Sequence, residues 1–314
     1  MRKILLFIVF FSVTVFGQDL SKVYVLSEGG FAPNTSKLSI IDKKSGSFSP
    51  SVFSPGNLGL VPDGMMFHEN NLYITEQGNY GGLGKIYKTD TLGAVSESAA
   101  AGVNPYSLSI NNDKIFVTNG PAGKVTVLNL SDLSFRKEIT VGVYPQEILS
   151  IGKYVFVANT SLWGGSSDST ISVIDSETES VVKTINVRLN PSSLALSADN
   201  MLLAGCPGDE AGGIIYKINP VTFEKITSYT IPQYGFGSCI NADTDGKKFY
   251  FLTYFNNLVE YNLQTSTVTE IVNPEYGANY FYGYNYDNVN RMHYVLDAKD
   301  FASDGAVYVF DASG

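Results

Sequence analysis

The chain has 314 residues, with 30 acidic side chains against 21 basic ones and a formal net charge of −9. An acidic surface repels nucleic acid and anionic membranes and so argues against both as partners. With 20 Tyr, 19 Phe and 30 Gly, the composition is one of strands and turns rather than of helices.

The chain opens on Arg2 and Lys3, continues as the apolar run "ILLFIVFFSVTV" from Ile4 to Val15, and places Val15 and Gly17 where a cleavage site needs small residues. Residues 1–17 therefore form a predicted secretory signal peptide. The run is short of the roughly 20 residues a membrane span needs. No cysteine follows the predicted cut, so a lipoprotein anchor has no support. The mature chain is expected to be exported to the periplasm, the cell surface or the medium, without a membrane span. Residues 18–314 are expected to form one domain.

From Val23 onward the same pattern recurs. "VYVL", "LYIT", "IFVTN", "VFVAN", "MLLAG", "FYFLT" and "HYVLD" are each followed, after a break, by an apolar strand ending in Asp or Asn. Those second strands are "KLSIID", "KIYKTD", "KVTVLN", "TISVID", "IIYKIN", "NLVEYN" and "AVYVFD", closing at Asp42, Asp90, Asn129, Asp175, Asn219, Asn262 and Asp311. An Asx side chain there bonds the backbone two residues on and starts a tight turn. Ahead of most copies lies a Pro-led apolar run such as "NPYSLSI", and after them an outer strand such as "VVKTINV". Four strands in about 45 residues, seven times over, predict an all-β fold: a seven-bladed β-propeller of four-stranded antiparallel blades. A pair of β-sandwich sheets is the alternative, but it does not require a fixed period. The first unit starts at its second strand (B, counting A to D from the axis outward) and the last ends at its third (C). The ring must close by packing these two incomplete units together.

"IFVTN" and "VFVAN", with Pro-led inner strands and Asx-ended third strands, resemble the YVTN-repeat propellers of bacterial surface and periplasmic proteins over the whole mature chain. The opening "VYVLSEGGFAPNTSKLSIID" also resembles the cobalamin-binding propellers that sit over corrinoid transporters in the outer membranes of Bacteroidetes, although those carry an anchoring cysteine that this chain lacks. The second resemblance implies a corrinoid as the small-molecule ligand and an outer-membrane transporter as partner.

In a propeller the B–C and D–A connections share one face around the axial mouth, and uneven loops mark the binding face. The B–C loops are long and uneven: "SEGGFAPNTS", "TEQGNYGGLG", "NTSLWGGSSDS", "CPGDEAGG" and "AKDFASDG". They and the D–A turns are rich in rings, Phe255 and Phe301 among them, and polar-tipped rings give contact area at low entropy cost. The expected ligand-binding set is Phe31, Tyr80, Tyr106, Tyr144, Trp163, Asp209, Tyr234, Phe236, Tyr254, Tyr276 and Tyr280. Asp209 and Glu210 suit a cationic or amide-rich ligand, with a solvated loop as the alternative.

The axial positions after each inner turn are Asp63, Tyr106, Gln146, Ser192, Ser238 and Phe281. One carboxylate among six is poor for Ca²⁺, which takes roughly 6–8 oxygen ligands. His68 and His293 fall toward the opposite face, and no nucleophile elbow or zinc motif is present. No metal, cofactor or catalytic residue is expected. "NADTDGKK" from Asn241 is predicted to be a hairpin turn, because Phe251 falls where a calcium loop needs its Glu. Cys206 closes a B strand and Cys239 enters the next inner strand, so a disulfide between them is one expectation in an oxidising compartment, and two separate thiols the other. The overall expectation is a monomeric, non-catalytic binder of a bulky ligand. A protein-interaction platform in the cell envelope and a propeller hydrolase or lactonase remain as alternatives.

Overall fold

The computed structural model describes residues 21–30, 32, 34–162, 165–209, 212–231, 235–273, 280–301 and 303–311, the side chain of Asp209 excepted; the signal peptide expected from the sequence, residues 1–17, lies outside them. Alternating β-branched and aromatic residues give short strands, and all regular structure among the described residues is β. The strands form seven antiparallel sheets, each hydrogen-bonded in chain order. First strands of successive sheets touch one another and so line the axis.

These inner strands are Pro62–His68, Pro105–Asn111, Pro145–Ile151, Ser193–Leu196, Ser238–Ala242 and Phe281–Asp287, in blades 2 to 7. Among the described residues blade 1 has no such strand and begins with Lys22–Ser27. Among the same residues five blades have four strands, and the two end blades have three each in separate sheets. The predicted Asx turns form: the Asp42 carboxylate accepts from the Lys44 and Ser45 amides at 2.9 and 2.8 Å, and Asp175 and Asn219 repeat the arrangement. "NADTDGKK" is the hairpin turn that joins Ser238–Ala242 to Lys248–Leu252, closed by the Gly246 amide on the Asp243 carbonyl at 3.0 Å.

Just past the start of an inner strand the ladder slips. In blades 2, 3, 4 and 6 two residues oppose one (Asp63–Gly64, Tyr106–Ser107, Gln146–Glu147, Cys239–Ile240), and in blade 7 Tyr282 is the extra residue. A bulge frees backbone groups that need partners. In blade 3 the Thr118 hydroxyl accepts from the Ser107 amide at 3.0 Å and donates to the Gln146 carbonyl of blade 4 at 2.6 Å. Thr75 does the same between blades 2 and 3, on Gly64 and Tyr106. The Asn after Thr118 reaches the other way: Asn119 donates to the Ala101 carbonyl in the outer strand of blade 2 and accepts from Thr126 of its own blade, at 2.7 and 2.6 Å. Thr and Asn thus have distinct roles in "VTN".

Seven apolar clusters fill the seven joints between blades. Among the described residues the joint between blades 7 and 1 has the smallest cluster, with four buried members, Val23, Val25, Tyr294 and Leu296. The Lys43–Asp287 ion pair, at 2.8 Å, also crosses it.

Thr118→Val keeps the shape but strands the Ser107 amide and the Gln146 carbonyl, which costs about 1–3 kcal/mol. Urea unfolding is expected to show a lower midpoint with an unchanged m-value.

Candidate functional site

The bulges turn side chains toward the axis, where they line a cavity of about 1010 Å³. All six axial positions expected from the sequence, Asp63, Tyr106, Gln146, Ser192, Ser238 and Phe281, line it. So do Gln77, Glu147, Cys239 and Tyr282. With no inner strand in blade 1 among the described residues, the cavity extends sideways to Tyr24 of Lys22–Ser27, and Glu28, just past the end of that strand, reaches it as well.

The turns into the inner strands hold a costly backbone. Val61, Asn104, Tyr144 and Asn190, each just before a proline, have φ of 49°, 44°, 45° and 57°. For a β-branched Val or a bulky Tyr this region is sparsely populated, and such strain concentrates at functional sites. It seats the Tyr144 ring edge-on to Tyr106, 5.9 Å between centroids.

Three carboxyls, of Glu28, Asp63 and Glu147, line the cavity. The Gln77 amide donates to Asp63 at 2.6 Å, and Tyr282 donates its hydroxyl to Glu28. Burial pushes Glu28 up to about 7 from 4.5, against the opposing pull of Tyr282. Burial alone pushes Glu147 up to about 7. Asp63 is driven well above the carboxylate range by burial and then by the charges of Glu28 and Glu147, with Gln77 only partly offsetting them. Tyr106 and Tyr282 are held un-ionised by burial and by these same acids. Perturbed groups gathered in one cavity make it the candidate functional site. Among the described residues no three Asp, Glu, His or Cys side chains are grouped so as to hold a metal ion.

Of the expected ligand-binding residues, the structure brings Tyr80, Tyr106, Tyr254 and Tyr280 to the cavity. Tyr80 and Tyr254 are 73% and 63% exposed. Tyr280 packs on Phe301 at 5.0 Å. Tyr144 supports Tyr106 rather than lining the cavity. Phe236 is a correction: it is fully buried between blades 5 and 6, in space that a Cβ on Gly205 or Gly213 would fill. Phe31, Trp163, Tyr234 and Tyr276, with Glu210 and the Asp209 side chain, lie outside the described residues.

Cys206 and Cys239 are both free, which corrects the disulfide expectation. Leu202, Ala204 and Cys206 share a strand parity: the first two pack toward blade 4, and the thiol of Cys206 sits near Arg188 and Lys225. Cys239 instead packs beside Tyr284 of blade 7. The two thiols face away from each other across blades 5 and 6.

Sequence reasoning missed Glu28, Gln77, Glu147 and Tyr282. Glu147 and Tyr282 are bulge residues, so their placement followed from the slip after the inner turn.

The chain belongs to the family described as Domain of unknown function (DUF5074), which matches residues 22–313. No curated protein matches it. Among solved structures, hydrazine synthase of Kuenenia stuttgartiensis is similar with a TM-score of 0.63 at 19% identity, over 75% of this chain and 76% of that one. The Cps50 (Swd1) β-propeller domain of Myceliophteria thermophila gives 0.72 at 10% identity, over 99% and 97%. A chain of the mitotic checkpoint complex gives 0.69 at 12%, over 92% and 84%. At these identities the likeness is one of fold alone.

Because folding raises the Glu147 carboxyl from 4.5 to about 7, its stability contribution is present below pH 4.5 and lost as pH rises through 7. Glu147→Gln is therefore expected to raise the melting temperature at pH 8 and leave it unchanged at pH 4, as read by calorimetry.

Proposed function

We propose that this propeller is an exported, non-catalytic binding protein that takes a bulky organic ligand into the axial cavity through its loop-rich mouth. One observation carries the proposal: Tyr80, Tyr106, Tyr254 and Tyr280 share the lining of a single cavity of about 1010 Å³. That is the upper end of ordinary ligand pockets, roughly 300–1,000 Å³. Their rings offer broad contact surfaces, and the carboxyls and Gln77 beneath them accept or exchange hydrogen bonds. The resemblance to cobalamin-binding propellers makes a corrinoid the ligand to test first, since its macrocycle suits aromatic walls and its amide arms donate to carboxyls. Delivery to an outer-membrane transporter is the role this implies.

A binder is favoured over a hydrolase by the placement of the two imidazoles. His68 ends the inner strand of blade 2 beside its A–B turn, and His293 is fully buried, with Nδ1 2.8 Å from the Tyr284 hydroxyl. Burial lowers His293 to about 4, so it is neutral at physiological pH. A protein-interaction platform is the second reading, favoured by Tyr254 and Phe255, which are 63% and 66% exposed and pack edge to face at 5.4 Å near the mouth.

Isothermal titration with cyanocobalamin and cobinamide is expected to give micromolar or tighter binding, and Tyr106→Ala and Tyr254→Ala each weaken it about tenfold. Absence of heat and of any spectral change at micromolar ligand overturns the corrinoid reading. Pull-down from an envelope extract then addresses the platform.

A further inference from the structure

The cavity gathers three carboxyls that no basic side chain of the fold pairs with among the described residues. Glu28 comes from blade 1, Asp63 from blade 2 and Glu147 from blade 4. Asp63 and Glu28 have neutral donors, but Glu147, deep on the axis and open to the cavity, has no hydrogen-bond or ion-pair partner among the described residues. The other groups facing the three carboxyls are neutral as well. They are Tyr106 from blade 3, Tyr144 from the turn into blade 4, Ser192 before blade 5, Cys239 from blade 6, and Tyr280 and Tyr282 at the start of blade 7.

Cations are present in the cavity but far away. Lys22 begins the strand that ends next to Glu28, ~20 Å off at the rise of a strand. Lys43 is already paired with Asp287. An uncompensated carboxylate of this depth is costly unless it is paired. A bare metal ion is a poor occupant, because no three candidate ligands converge among the described residues. N–H donors spaced along an organic molecule can reach separated carboxyls, and a ring face nearby favours the attached cation.

We propose that Glu28, Asp63 and Glu147 form a recognition site for an organic cation of the alkylammonium class, whose N–H groups meet the carboxyls while its carbon body lies on Tyr106 and Tyr282. This rests on the axial cavity being the binding site. Burial keeps Glu28 and Glu147 about half-protonated at neutral pH, so an arriving cation expels protons.

The test is titration calorimetry of the purified protein with spermidine, and with triethylene glycol as a neutral chain. Measurements are made at pH 7.4 in phosphate and in Tris, and again at pH 5. Spermidine is expected to bind, with a heat that differs between the two buffers because about one proton is released. Its affinity falls roughly tenfold or more at pH 5 and in Glu147→Gln, and the glycol gives no heat. Circular dichroism confirms that the variant is folded. Equal binding of the glycol, equal heats in the two buffers, or unchanged affinity in the folded Glu147→Gln variant overturns the proposal. Cyanocobalamin binding in the same preparation separates the two ideas. If it binds while spermidine does not, the cation site fails and the cavity reading survives; if neither binds, both fail.

Discussion

The bulge at the start of the inner strands is the constraint on which both ring and cavity depend. A regular ladder would point alternate residues of each inner strand into the joints between blades and leave the axis to the rest. Inserting one residue instead brings Gln146 and Glu147 to the axis together. The same slip exposes backbone groups, and Thr75 and Thr118 bond them while reaching across to the next blade. Where the repeat has no Thr the contact is improvised. Ser193 accepts from the Ile240 amide at 3.0 Å and Ser192 donates to the Gly237 carbonyl at 3.2 Å, so the link from blade 5 to blade 6 is kept by other atoms.

The acids lining the cavity sit in tension with folding. Each is less comfortable ionised there than in the unfolded chain, and the left-handed Val61 and Tyr144 add local cost. Seven packed joints offset this, which is how a rigid scaffold can hold polar groups ready for something that arrives later. Blade 1 contributes in an unusual way. With no inner strand among its described residues, it lets Tyr24 and Glu28 take part in a lining otherwise made by the inner strands of blades 2 to 7.

What was legible in the sequence was local. The Asx turns at Asp42, Asp175 and Asn219 depend on one side chain and the next two amides, so the repeat and the seven blades could be derived from spacing. Strand parity was equally available for Cys206: counting alternate residues from Leu202 places it toward blade 4 and away from Cys239. Glu147 escaped because period-two counting breaks at the bulge. Glu28 escaped because it becomes axial only when blade 1 is seen to be incomplete. Phe236 looked like a loop aromatic, and only the glycines at 205 and 213, distant in sequence, reveal the hole it fills.

The thin joint between blades 7 and 1 has a mechanical consequence. Among the described residues no backbone ladder crosses it, as none crosses any other joint, and no chain connection spans it either, so its small apolar cluster and the Lys43–Asp287 pair clasp the ring shut. Parting of the ring along this line would widen the cavity beside the wall that carries Tyr24 and Glu28, so the girth of the ring and access to its interior are linked at that seam.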